Sequence, residues 1–132
     1  MRRATSDLYY ALFHRLSEAL VEPLGADPEN PLFIETYLTL YRLPDHAVLD
    51  KKCKAALGQA FDVEVKRFAQ SIVTMKNKRH DADYDPLKKF VISEVQNDLG
   101  IAAAALNGFD SIDAPQRARF AFFVALDAKR PK

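Results

Sequence analysis

The sequence predicts an all-α chain, a compact up-and-down bundle of four main helices plus one or two short helices. Three observations predict it. Apolar residues recur at helical spacing along most of the chain, and nothing alternates with a period of two over a convincing length. Capping and breaking residues divide the periodic stretches. The 132 residues, 48% hydrophobic and 28% charged, suit one domain with a buried core (residues 1–132) and are too few for two comfortable ones.

From Ala4 to Leu20 the apolar residues are Leu8, Tyr9, Leu12, Phe13, Leu16, Ala19 and Leu20, a wide amphipathic helix. Pro23, Gly25, Pro28, Asn30 and Pro31 end it and make a loop of about nine residues. A second helix runs from Leu32 to about Leu43, where Pro44 interrupts or kinks it. Asp45 can cap a third, from His46 to Leu57, stopped near Gly58. A fourth spans about Asp62 to Lys78, with Val65, Phe68, Ile72, Val73 and Met75 inward.

Asp85-Pro86 places an N-cap carboxylate before a first-turn proline and opens the next helix. That helix carries Leu87, Phe90, Val91, Val95, Leu99, Ala102 and Leu106, and Asn107-Gly108 closes it as a left-handed C-cap. The last begins near Asp113, with Gln116 completing a capping box. It buries part of Phe120, Phe122, Phe123, Val124 and Leu126, then frays into the basic tail Lys129, Arg130, Lys132.

A formal charge of +1 makes any polyanion site a local patch rather than a property of the whole surface. The single cysteine, Cys53, rules out an intramolecular disulfide and suggests a reduced, cytoplasmic protein. No stretch approaches a membrane span, and the opening residues lack the apolar core of a signal peptide.

The histidines, at 14, 46 and 80, each lie close to an arginine in sequence. Imidazole can shuttle a proton near neutral pH. Guanidinium can grip phosphate with two parallel hydrogen bonds. Together they are the minimum kit for metal-independent RNA cleavage, where the 2′-hydroxyl is the nucleophile. The plainer alternative is three histidines on solvated faces.

The densest polar run is Lys76-Asn77-Lys78-Arg79-His80-Asp81-Ala82-Asp83-Tyr84-Asp85-Pro86, expected at a helix end and the start of a loop. Its charge order suits the dipoles of the two flanking helices, but that leaves His80 and Tyr84 around the aspartates unexplained. A calcium loop starting at Asp81 fails, because Pro86 stands where a glycine is needed and Ile92 where a bidentate glutamate is needed. Zinc-ligand spacing is missing too, so neither metal nor cofactor is expected.

Tyr9 and Phe13 read as core, while Tyr10 and His14, four apart, share a face and can line a groove near the polar run. Lysines around Cys53 can lower its pKa, yet no partner base is evident and a buried or half-buried thiol is the simpler reading. The scattered glycines, 25, 58, 100 and 108, form no phosphate-cradling loop, and no serine sits in a nucleophile elbow.

The opening run Arg2-Arg3-Ala4-Thr5-Ser6-Asp7-Leu8-Tyr9-Tyr10-Ala11-Leu12-Phe13-His14 resembles the first helix of HEPN-domain proteins, of the form R-A-x-S-x-x-Y-Y-A-x-F-H. Tyr41-Arg42-Leu43-Pro44-Asp45-His46 and the Arg79-to-Asp85 run resemble later motifs of one HEPN branch. With the helix count, the resemblance covers most of the chain. It implies a helical bundle that often pairs into a homodimer. Many HEPN proteins are metal-independent RNases of toxin–antitoxin, CRISPR-linked or other defence systems; others are non-catalytic nucleic-acid or nucleotide-binding partners, often found beside a nucleotidyltransferase-type protein.

Catalytic members carry an arginine, four to six intervening residues and a histidine at the dimer cleft. Here Tyr84 stands where Arg79 would have its histidine, and three residues separate Arg42 from His46. The motif is degenerate. A substitute arrangement takes His46 or His80 as base, with Arg79 and Tyr84 beside it. Arg42, Arg79, Lys78, Arg3, Tyr10 and His14 are then the candidates for binding phosphate or nucleic acid. The competing expectation is a non-catalytic helical module that dimerises or docks on a partner protein. A metal-dependent four-helix enzyme would need inward carboxylates and Glu-x-x-His spacing, and neither is visible.

Overall fold

The computed structural model describes residues 2–25, 29–84 and 92–126, with side chains for 3–25, 29–81 and 92–126. Among the described residues there are six α-helices and no strand. They are α1 (Arg2–Val21), α2 (Pro31–Tyr41), α3 (Leu49–Leu57), α4 (Val63–Tyr84), α5 (Ile92–Ser111) and α6 (Ala114–Ala125), with a 3₁₀ turn at Glu22–Leu24. The chain is thus a helical bundle, in which α2 and α3 are the short members. No described helix is long and apolar enough to cross a membrane.

One hydrophobic core joins α1, α3, α4, α5 and α6. α1 contributes Tyr9, Leu12, Phe13, Leu16 and Leu20, which fall on one face as their spacing predicts. α4 supplies Val65, Phe68, Ile72, Val73 and Met75, all buried. At the centre Phe68 stacks on Phe109 with centroids 4.1 Å apart, and Phe120 meets both edge-on at 6.0 Å. Offset and edge-to-face pairs of this kind add to the stabilisation from burial alone.

Three boundaries differ from expectation, each for a physical reason. α4 continues past Lys78 to Tyr84. No glycine or proline interrupts those residues, and Lys76, Lys78 and Arg79 all find partners that hold the extra turns. α3 starts at Leu49 rather than His46, because Asp45 closes a turn instead of a helix. Its carboxylate accepts from the Ala47 N–H at 2.9 Å and its carbonyl from the Val48 N–H at 3.3 Å.

α5 runs straight through Asn107-Gly108 to Ser111. Burial of Phe109 against Phe68 overrides the local stop signal. Gly108 keeps a negative φ and serves another purpose: a Cβ there would collide with the Glu64 carboxylate of α4. Leu99 is exposed, whereas its neighbour Asp98 is buried and accepts from Lys78 Nζ at 2.6 Å. Asp113 precedes α6, but its carboxylate bonds the Gln116 side-chain amide rather than a backbone N–H. The expected cap at Asp85-Pro86, the inward Leu87, Phe90 and Val91, and the tail at Lys129, Arg130 and Lys132 lie outside the described residues.

At the far end of α1 a charged network ties the bundle shut. Arg15 donates to Asp110 and to Glu22, both at 2.7 Å, and lies over the Phe109 ring. Arg117 reaches the same Glu22 at 3.1 Å. Both guanidiniums are mostly sheltered from solvent, so each depends on its carboxylate partners.

Replacing Phe68 by Ala removes the ring that Phe109 and Phe120 pack on. The expected cost is about 3–5 kcal/mol, read as a fall in the urea midpoint with little change in slope.

Candidate functional site

Two faces of α1 divide the work. Tyr9 and Phe13 point inward, while Tyr10 and His14 lie at the surface beside them. The phenol of Tyr9 is buried and meets His46 Nδ1 at 2.7 Å. The His46 ring lies flat on Phe13, with centroids 3.8 Å apart and planes 16° from parallel. Tyr10 closes its side edge-on at 5.8 Å. His46 as a whole is exposed, although Phe13 covers one face of its ring.

Arg79 arrives from α4. Its guanidinium carbon stands 5.5 Å from the Tyr9 ring centroid and 5.1 Å from that of Tyr10, cation–π distances to both. Lys76, one helical turn earlier, donates to the backbone carbonyl of His46 and to Asp50 at 3.2 Å. The turn that carries His46 is therefore held by the same helix that supplies Arg79.

These contacts set the protonation states. Burial, then the charges of Arg79 and Lys76, hold the His46 imidazole below its ordinary pKa. Burial pushes the Tyr9 phenol well up against the opposing pull of Arg79, so it stays an O–H. Asp50 is raised by burial but pulled lower overall by the Lys76 hydrogen bond and charge. A neutral His46 has two tautomers. If Tyr9 donates to Nδ1, then Nε2 carries a proton to offer a phosphate oxygen. If Nδ1–H donates to Tyr9, then Nε2 presents a lone pair able to take a proton.

The candidates named from sequence divide. His46, Arg79 and Tyr10 come together, and His14 joins them through Tyr10 at 6.3 Å. His14 Nδ1 also bonds the Tyr41 hydroxyl at 3.0 Å. Arg3 is exposed and shares the α1 face of Tyr10 and His14, at i, i+7 and i+11. Arg42 is exposed at the C-cap of α2. Lys78 is turned instead to the buried Asp98, where it ties α4 to α5. His80 is exposed one position beyond Arg79, about 100° further round the helix. Tyr84 ends α4, and its side chain lies outside the described residues.

Tyr9, Phe13, Lys76 and Asp50 belong to this arrangement and were not expected there. Tyr9 and Phe13 look like core by spacing, and they are core; their outer edges also serve the histidine. Cys53 is buried and its thiol is pushed up to about 12 by burial, so the flanking lysines do not activate it. No group of three or more His, Cys, Asp and Glu side chains that could hold a metal occurs among the described residues. A hollow of about 510 Å³ borders the same turn at Asp45 and Val48, between α3 and the end of α6, with Lys51 and Lys52 on its wall and none of the candidate site residues lining it.

The linkage sign for His46 follows from its lowered pKa. Below pH of about 6.5 the unfolded chain takes up a proton at this histidine before the folded chain does. Stability therefore falls as pH drops through that value, and levels off once the folded-state pKa is passed. Arg79→Met should raise the His46 midpoint, followed by its ring-proton resonance in NMR. An unmoved midpoint would contradict the electrostatic contact.

No family model, curated protein or solved structure matches this chain.

Proposed function

We propose that the chain is an RNA- or nucleotide-associated module of the HEPN type, binding phosphate at Arg79 and His46 beside Tyr10 and His14. One observation carries this reading: residues 9–14, 46 and 79, distant in sequence, converge in one aromatic and cationic cluster. Chemistry supports it as well, since a guanidinium steadied on two rings and a neutral imidazole both suit phosphate oxygens. The setting this reading implies is a cytoplasmic stress or defence system of the toxin–antitoxin kind, with the chain as a homodimer and a nucleotidyltransferase-type protein as partner.

The catalytic extension is metal-independent cleavage. His46 in its Nε2 lone-pair form takes the proton of a 2′-hydroxyl, and that oxygen bonds to phosphorus to give a 2′,3′-cyclic phosphate. The 5′-oxygen leaves, taking a proton from water while the imidazolium returns its own to solvent; Arg79 balances the added charge. The degenerate motif makes binding the primary activity and cleavage secondary to it.

A second reading, a non-catalytic interaction module, draws on α2. Leu32, Ile34 and Leu38 are 69%, 45% and 40% exposed, and the helix has no fully buried residue. Apolar side chains left in water along one helix suit a protein partner or a second copy.

Fluorescence anisotropy with a labelled RNA decides between them. Arg79→Ala should weaken binding about tenfold and lower the salt slope by about 0.7. Wild-type affinity in that variant would refute the phosphate site. Incubation with total RNA in EDTA, beside His46→Ala, tests the catalytic extension; cleavage that persists unchanged in the variant would remove it.

A further inference from the structure

An aromatic row leads away from Arg79 across the surface. Phe33, Tyr37 and Tyr41 recur every four residues on α2, with successive centroids 5.8 Å and 5.9 Å apart. The row crosses to α1, where His14 stacks on Tyr41 at 6.1 Å and Tyr10 follows at 6.3 Å. Arg79 then lies over Tyr10. The row therefore ends on a cation.

The α2 rings are half-buried, which sets them apart from a core stripe. None of the α2 rings is fully buried, and His14 is exposed. Glu35 is the one charged side chain of α2; from α1, Glu18 acts on Tyr41 and is itself paired with Arg15 at 3.7 Å. Asp7 shares the α1 face with Tyr10 and His14, and Arg3 stands one turn before it as a counter-charge.

We infer that this row is a stacking track for the unpaired bases of a single-stranded nucleic acid whose phosphates are held at Arg79. It rests on the RNA-associated reading above and narrows the ligand to an open strand. Every base has an apolar π-face, so such a track reads strandedness more than sequence. Ring steps of 5.8–6.3 Å exceed the roughly 3.4 Å rise along a duplex strand. Bases can occupy successive rings only when unstacked from one another, which a duplex forbids. With one base per ring, Phe33, Tyr37, Tyr41 and His14 give a footprint of about four nucleotides.

The test compares a ten-nucleotide oligouridine, the matching oligodeoxythymidine and a blunt RNA duplex by anisotropy. Tyr37→Leu keeps an apolar side chain at this half-buried position and removes the aromatic face. Wild type should prefer both single strands over duplex, with RNA against DNA showing whether the sugar contributes. Tyr37→Leu should lose about 5- to 150-fold in single-strand affinity at unchanged helicity and melting temperature.

Undiminished binding by Tyr37→Leu, with binding still weakened by Arg79→Ala, would overturn the track and leave the phosphate site standing. Absence of binding by wild type would overturn both. Should Tyr37→Leu not fold, ultraviolet cross-linking of a 5-bromouridine strand to the wild-type chain answers the same question. Adducts at 33, 37 or 41 support the track, and adducts only elsewhere refute it.

Discussion

A tyrosine hydroxyl taken out of water must be given a partner, because an unmade buried hydrogen bond costs on the order of 1–3 kcal/mol. Much of the structure around α1 follows from how Tyr9 is given one. Its ring belongs to the core, yet its oxygen ends at the core boundary, where His46 meets it. That contact requires the turn between α2 and α3 to pass over α1. Lys76 on α4 fastens the turn from the other side. Three segments far apart in sequence are thereby locked by one phenol, and Arg79 comes with the third of them.

The same helix thus serves packing and surface chemistry at once. α4 buries Phe68, Ile72 and Met75 on its inner face. Its last turns are polar, but they are not loose, since Lys78 is paired with Asp98 and Arg79 rests on aromatic rings. Rigid placement matters for any group meant to meet a ligand, because orientation fixed beforehand is not lost on binding. A second network, of Arg15, Arg117, Glu22 and Asp110, ties α1 to α5 and α6 on its other side.

The helices themselves were legible from periodicity, and so was most of the core of α1 and α4. Boundaries failed where a tertiary contact outweighed a local signal. Asn107-Gly108 reads as a stop until Phe109 is seen stacked on Phe68; Lys78 reads as an end until Asp98 is seen beneath it. Within the site, Arg79, His46, Tyr10 and His14 could be named from residue type and motif resemblance. Their meeting could not be read, because it depends on how α4 and the turn before α3 pack on α1. Lys78 shows the limit most clearly: its neighbour Arg79 faces the rings, and one helical step of about 100° sends it to a different helix. The row at 33, 37 and 41 was not read from the sequence, because an i, i+4, i+8 aromatic stripe ordinarily marks core and only its partial burial separates it from one.

Cys53 has a consequence unrelated to any ligand. The chain has one thiol, it sits at 0% exposure on α3, and its high pKa leaves almost no thiolate at neutral pH. An alkylating reagent can therefore reach it only when α3 lifts from the bundle. The rate of that modification, compared with an exposed thiol, measures how often this part of the native protein opens. The molecule carries its own clock for such breathing, without an introduced label.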